Sequence, residues 1–77
     1  MNDILVVSDM GDLKAIRQDP KFVGMEFCFA NRSATKFTGW IPDTIYVTRR
    51  AELLMGDEVE HAIKIKKGQG SKICPVN

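Results

Sequence analysis

Histidine occurs once and cysteine twice in this chain, and neither residue has a partner at ligand spacing. With no CxxC and no HxxxH there is no donor set for a structural zinc site, and no metal or cofactor is expected. Cys28 lies in the apolar run Met25-Glu26-Phe27-Cys28-Phe29, the setting of a buried free thiol, so Cys28 and Cys74 are expected to remain unbridged. Apolar residues never run to the roughly 20 that a bilayer requires, and Asp3 stands where a secretory signal would carry basic charge. A cytoplasmic protein without a membrane segment is expected. An excess of one charge is also lacking: 11 Lys and Arg against 10 Asp and Glu leave a net charge of +1, too little for a field that draws nucleic acid. The lone His61 has Glu58 and Glu60 beside it but no serine, threonine or cysteine at the spacing of a nucleophile pair. It reads as a surface helix residue, and no catalytic constellation is expected.

What the chain does contain is the composition of a globular domain, with 44% hydrophobic and 27% charged residues over 77 positions. That length supports one small domain with a single core. Ile4-Leu5-Val6-Val7 is an uninterrupted apolar run, as in a strand buried on both faces. Met10, Leu13 and Ile16 then recur at helical spacing until Pro20 ends the pattern, with Ser8 or Asp9 available as cap. Residues 22–30 read as a second strand, residues 31–36 as a loop that continues into 37–40, and Thr44-Ile45-Tyr46-Val47-Thr48 as a third strand. Ala51, Leu54, Met55, Val59, Ala62 and Ile63 fall on one helical stripe, as one kinked helix or two hinged at Gly56. Asp57 and Glu60 form a capping box for the second piece, and Gly68 is placed to end it. Residues 62–67 also read as alternation, with Ile63 and Ile65 on one face, so a last strand stands as the other reading. Residues 68–77 form either a flexible tail or an edge strand.

The expected fold is therefore α/β or α+β, a single sheet of three to four strands covered by two or three helices in the order β-α-β-β-α(-β). If the first and third strands run parallel, Ser8, Asp9 and Asp12 meet Thr48, Arg49 and Arg50 at the edge where open α/β sheets bind ligands.

The turn Val6-Val7-Ser8-Asp9-Met10-Gly11-Asp12 is similar to the opening of calcineurin-like metallophosphoesterases, in which a strand delivers a metal-binding aspartate. The histidine which that family places close behind the aspartate is absent here, as are its later motifs. Asp9 and Asp12 accordingly read as helix caps.

Two surfaces are candidates for function. Trp40 and Tyr46, with Arg32, Arg49 and Arg50 near in sequence, have the composition of a protein-interface hot spot. Lys64, Lys66, Lys67 and Lys72, in a stretch without acids, form a basic segment suited to a phosphate backbone but without aromatics for base stacking. Near-zero net charge favours the first. The expected function is a small non-enzymatic binding or regulatory module that contacts another protein, with a homo-oligomer as a companion expectation because small sheets leave edges unpaired. Its size is common among accessory and viral or mobile-element proteins. The alternative is a nucleic-acid-binding accessory protein.

Overall fold

The computed structural model describes residues 2–32 and 34–76. Four strands, β1 (Asp3–Val7), β2 (Glu26–Phe29), β3 (Thr44–Thr48) and β4 (Lys72–Val76), form one sheet in the order β2-β1-β3-β4. Every pairing is parallel. Three α-helices, α1 (Met10–Ile16), α2 (Arg49–Leu53) and α3 (Asp57–Gly68), and short 3-10 turns at Pro20–Phe22 and Thr35–Phe37 complete the chain. The mixed α/β expectation holds, and the sheet takes its four-stranded form.

The central strand explains the layering. Ile4, Leu5, Val6 and Val7 are fully buried, so both faces of β1 must be covered. Ile4 and Val6 face a cluster with Ile45, Val47, Ala51, Val59 and Phe37, which places α2, α3 and the second 3-10 turn on one face. Leu5 and Val7 face Leu13, Ile16, Phe22 and Tyr46, which places α1 and the first 3-10 turn on the other. The β1-to-β2 and β3-to-β4 crossovers move in opposite directions along the sheet and use opposite faces. Both therefore have the same hand, as the crossover rule requires.

Three local readings need correction. The second strand does not span 22–30: Asp19 caps a 3-10 turn through the Lys21 N–H, and Pro20 opens that turn. Gly24, at φ 78°, then turns the chain into a four-residue β2. Phe22 is apolar because it fills the α1 face, not because it belongs to a strand. Of the two readings of residues 62–67 the helical one holds, within α3, and the tail supplies the edge strand beyond them at 72–76. The expected box at Asp57 and Glu60 does not form, because Gly56 is the N-cap and Asp57 already lies inside the helix. Gly56 donates its N–H to Ala30 O at 2.8 Å, and a Cβ there would stand 3.3 Å from the same oxygen. The expected loop holds the second 3-10 turn, with Phe37 buried; Ser33 lies outside the described residues. The two helical pieces hinged at Gly56 are as expected.

Both cysteines are free. Cys28 projects from β2 into the core, and burial pushes its thiol up from 9.0 to about 12. Between those two values the native chain holds a proton that the unfolded chain releases, so stability falls as pH rises through the window. Urea unfolding from pH 9 to 11 should show the wild type losing about 1.4 kcal/mol per pH unit more than Cys28→Ala. A thiol reagent at pH 8 should modify Cys74 in the native protein and reach Cys28 only on unfolding.

Candidate functional site

The parallel β1–β3 pair brings the expected residues together at its carboxyl end. Asp9 is the N-cap of α1 and accepts the Asp12 N–H at 2.8 Å. Asp12 turns its carboxylate inward, where Oδ2 accepts the Ser8 N–H at 2.9 Å and the Thr48 hydroxyl at 2.5 Å. Thr48 is in turn the N-cap of α2, its Oγ1 accepting the Ala51 N–H at 3.1 Å. Arg50 lies 3.6 Å from Asp9 Oδ2, and both side chains are more than half exposed. The result is a crevice filled by its own side chains. Asp12 and Thr48 occupy the position where sheets of this topology admit a ligand. Ser8 Oγ, in a residue only 6% exposed, has no hydrogen-bond partner among the described residues.

The remaining candidates are dispersed. Trp40 precedes β3 at its amino end and Arg49 follows it at its carboxyl end, and the five-residue strand between them is about 16 Å long at ~3.3 Å per residue. Tyr46 lies between, 8% exposed, on the α1 face, with its ring edge-on to Phe22 at 5.2 Å. The sheet thus divides Tyr46 from Trp40, which packs on the opposite face. The expected cluster of Trp40, Tyr46, Arg49 and Arg50 does not form one surface, since strand neighbours point to opposite faces and strand ends to opposite edges. Arg32 follows β2 at the carboxyl edge, with its guanidinium 5.1 Å from the centroid of the Phe29 ring. Of the basic segment, Lys64 pairs with Glu60 at 3.2 Å, Lys66 is half-buried, Lys67 is in the last turn of α3, and Lys72 opens β4. His61 is exposed on α3. Among the described residues no group of three or more His, Cys, Asp and Glu side chains gathers to hold a metal ion.

A concavity lies at the other edge, under the amino ends of β1 and β2. A hollow of about 780 Å³ lies between Asn2 and Asp3 on one side, Val23–Glu26 below, and Lys36 and Trp40 opposite, with Lys21 on its rim. Trp40 is fixed there by its indole N–H, which donates to Lys36 O at 2.6 Å, while Lys36 Nζ pairs with Glu26 at 2.6 Å. The Tyr46 side chain beside Lys21 holds the lysine above its ordinary pKa, through hydrogen bonding first and charge second. Val23 on the lip is 64% exposed. Sequence reasoning found Trp40 but missed Lys21, Val23 and Lys36.

Comparison with protein families, curated proteins and solved structures finds no match.

Substitution separates the roles at the filled crevice. Asp12→Ala leaves a buried N–H and a buried hydroxyl unpaired and should cost about 2–4 kcal/mol in chemical denaturation, and Thr48→Val about 1–2 kcal/mol. The double variant should cost clearly less than the sum. Ser8→Ala keeps the backbone donor to Asp12 and removes only an unpartnered hydroxyl, so its effect should be neutral or mildly stabilising.

Proposed function

We propose that the protein is a small non-enzymatic binding module that regulates another protein by contacting it through the hollow beside Trp40. The observation that supports this reading is the hollow itself. A single indole held in place by its own hydrogen bond lines the hollow together with an exposed valine, and the charged groups Lys21, Lys36, Asp3 and Glu26 line it too. An aromatic anchor with apolar neighbours and a polar rim is the usual anatomy of a protein contact. The C-terminal lysines support nucleic-acid binding less well, because Lys64 is engaged with Glu60 and Lys66 is half-buried. No helix of the described residues is long and apolar enough to cross a membrane. A cytoplasmic accessory protein, of a size common among viral and mobile-element products, fits this reading, with a second copy of the chain as one candidate partner.

The test uses the single tryptophan as reporter. Capture from a cell extract at low salt and at roughly 0.5 M salt, with nuclease in parallel, should retain a discrete protein, because apolar contacts are not screened. Titration of that protein should shift Trp40 emission, and Val23→Glu should weaken it at least tenfold, about 1.4 kcal/mol. Capture that survives in Val23→Glu but disappears with salt, with nuclease and in Lys66→Ala/Lys67→Ala would replace this reading with the nucleic-acid one.

A further inference from the structure

The two edges of the sheet are not equivalent. In β4 the Lys72 N–H donates to Asp43 O, so residues 72, 74 and 76 turn their backbone groups toward β3 and residues 73 and 75 turn theirs outward. The outward residue at 75 is proline, which has no N–H to offer. An added strand would find a missing donor in the middle of β4, a recognised way of protecting an edge.

The outer edge of β2 has no such block. Ala30 N–H donates to Val7 O, so residues 26, 28 and 30 face β1 and residues 27 and 29 face outward. The carbonyl of Phe29 is taken by the Arg32 N–H at 3.3 Å. Among the described residues, the N–H and C=O of Phe27 and the N–H of Phe29 have no partner. The two phenyl rings lie half-buried on the α1 face, edge to face at 5.7 Å. Arg17 stands 5.1 Å from the centroid of the Phe27 ring and Arg32 stands 5.1 Å from that of Phe29. Neither arginine has an ion-pair partner among the described residues, and Arg17 Nε is an unpaired buried donor.

We infer that the outer edge of β2 is a docking edge for an extended, acidic segment of a partner protein, which adds to the sheet as a fifth strand. Strand addition supplies the missing backbone partners of Phe27 and Phe29. Alternate side chains of the added strand fall on the α1 face, about 4.8 Å from β2, where carboxylates meet Arg17 and Arg32. A second copy pairing through the same edge would bring arginines against arginines, which disfavours self-association there. The inference rests on the reading of the chain as a protein-binding module, and it names a different surface and the chemistry of what binds it.

The experiment is a titration of the isotope-labelled full chain with two end-capped peptides of about eight residues, a common strand length. One alternates valine with glutamate, the other valine with lysine. The Phe27 and Phe29 amide resonances should shift saturably with the acidic peptide, and exchange at the Phe27 amide should slow about tenfold. The lysine peptide should leave both unchanged. Arg17→Glu/Arg32→Glu should reverse the preference, and Phe27→Pro, which gives β2 the same missing donor as β4, should abolish binding while the rest of the amide spectrum stays native. Equal response to both peptides, no shift at Phe27 and Phe29 with millimolar acidic peptide, or slow exchange at Phe27 that depends on protein concentration without peptide would overturn the inference. The last outcome would assign the edge to a second copy. Val23→Glu should bind the acidic peptide as the wild type does, so failure at this edge and failure of the Trp40 hollow are read separately.

Discussion

One carboxylate oxygen, Asp12 Oδ2, holds the centre of the molecule together. It joins the end of β1, through the Ser8 N–H, to the end of β3, through the Thr48 hydroxyl. Thr48 in turn caps α2, and Asp9, one turn before Asp12, caps α1. Two strand ends and, through Thr48, the start of α2 thus depend on a single buried acceptor, while Asp9 serves the start of α1 on the opposite face. The consequence reaches beyond stability. The switch point of a doubly wound sheet is its natural ligand crevice, and here the residues that stabilise the sheet also fill the crevice. On the proposed reading, recognition falls to the outside of the fold, at the hollow near Trp40 and the free edge of β2.

What the sequence made legible followed from strong local signals. The unbroken run at 4–7 and the β-branched run at 44–48 read as strands, and the parallel pairing, a condition in the sequence reading, is what brings Ser8, Asp9 and Asp12 beside Thr48 and Arg50. The Asp9 cap followed from an acidic residue just ahead of a helical stripe. The misread segments lacked such signals. Phe22 and Val23 look like strand residues, but one is core and the other is exposed, and the Asp19-Pro20 start of a 3-10 turn decided the backbone. Grouping Trp40 with Arg49 and Arg50 failed for a geometric reason: a strand carries its two flanks to opposite edges, so nearness in sequence across β3 means distance in space. The stacking of Arg17 and Arg32 on Phe27 and Phe29 was invisible, since it depends on where the α1 crossover and the turn after β2 lay their side chains.

The chain looks balanced in charge, yet its acids and bases do different work. Asp3, Asp9, Asp12 and Asp19 each accept a backbone N–H, from Thr44, Asp12, Ser8 and Lys21 respectively. The acidic character of the first twenty residues is largely a set of backbone caps. Glu26 and Glu60 are engaged by Lys36 and Lys64. Arg17, Arg32 and Arg49, by contrast, have no ion-pair partner among the described residues. A net charge of +1 therefore conceals a surface on which most paired acids are structural and several arginines are free to meet an external anion.

That asymmetry and the asymmetry of the two edges point the same way. A parallel sheet of four strands must end somewhere, and each end is a template for unwanted pairing. The chain protects β4 with an outward proline at position 75. At β2 the backbone is left open and is flanked by guanidinium groups instead. Arginines guard an edge against a second copy, because like charges repel, but they admit an acidic strand. An edge that repels its own copy and is proposed to accept the opposite charge is selective by electrostatics alone, and selectivity of this kind needs no pocket.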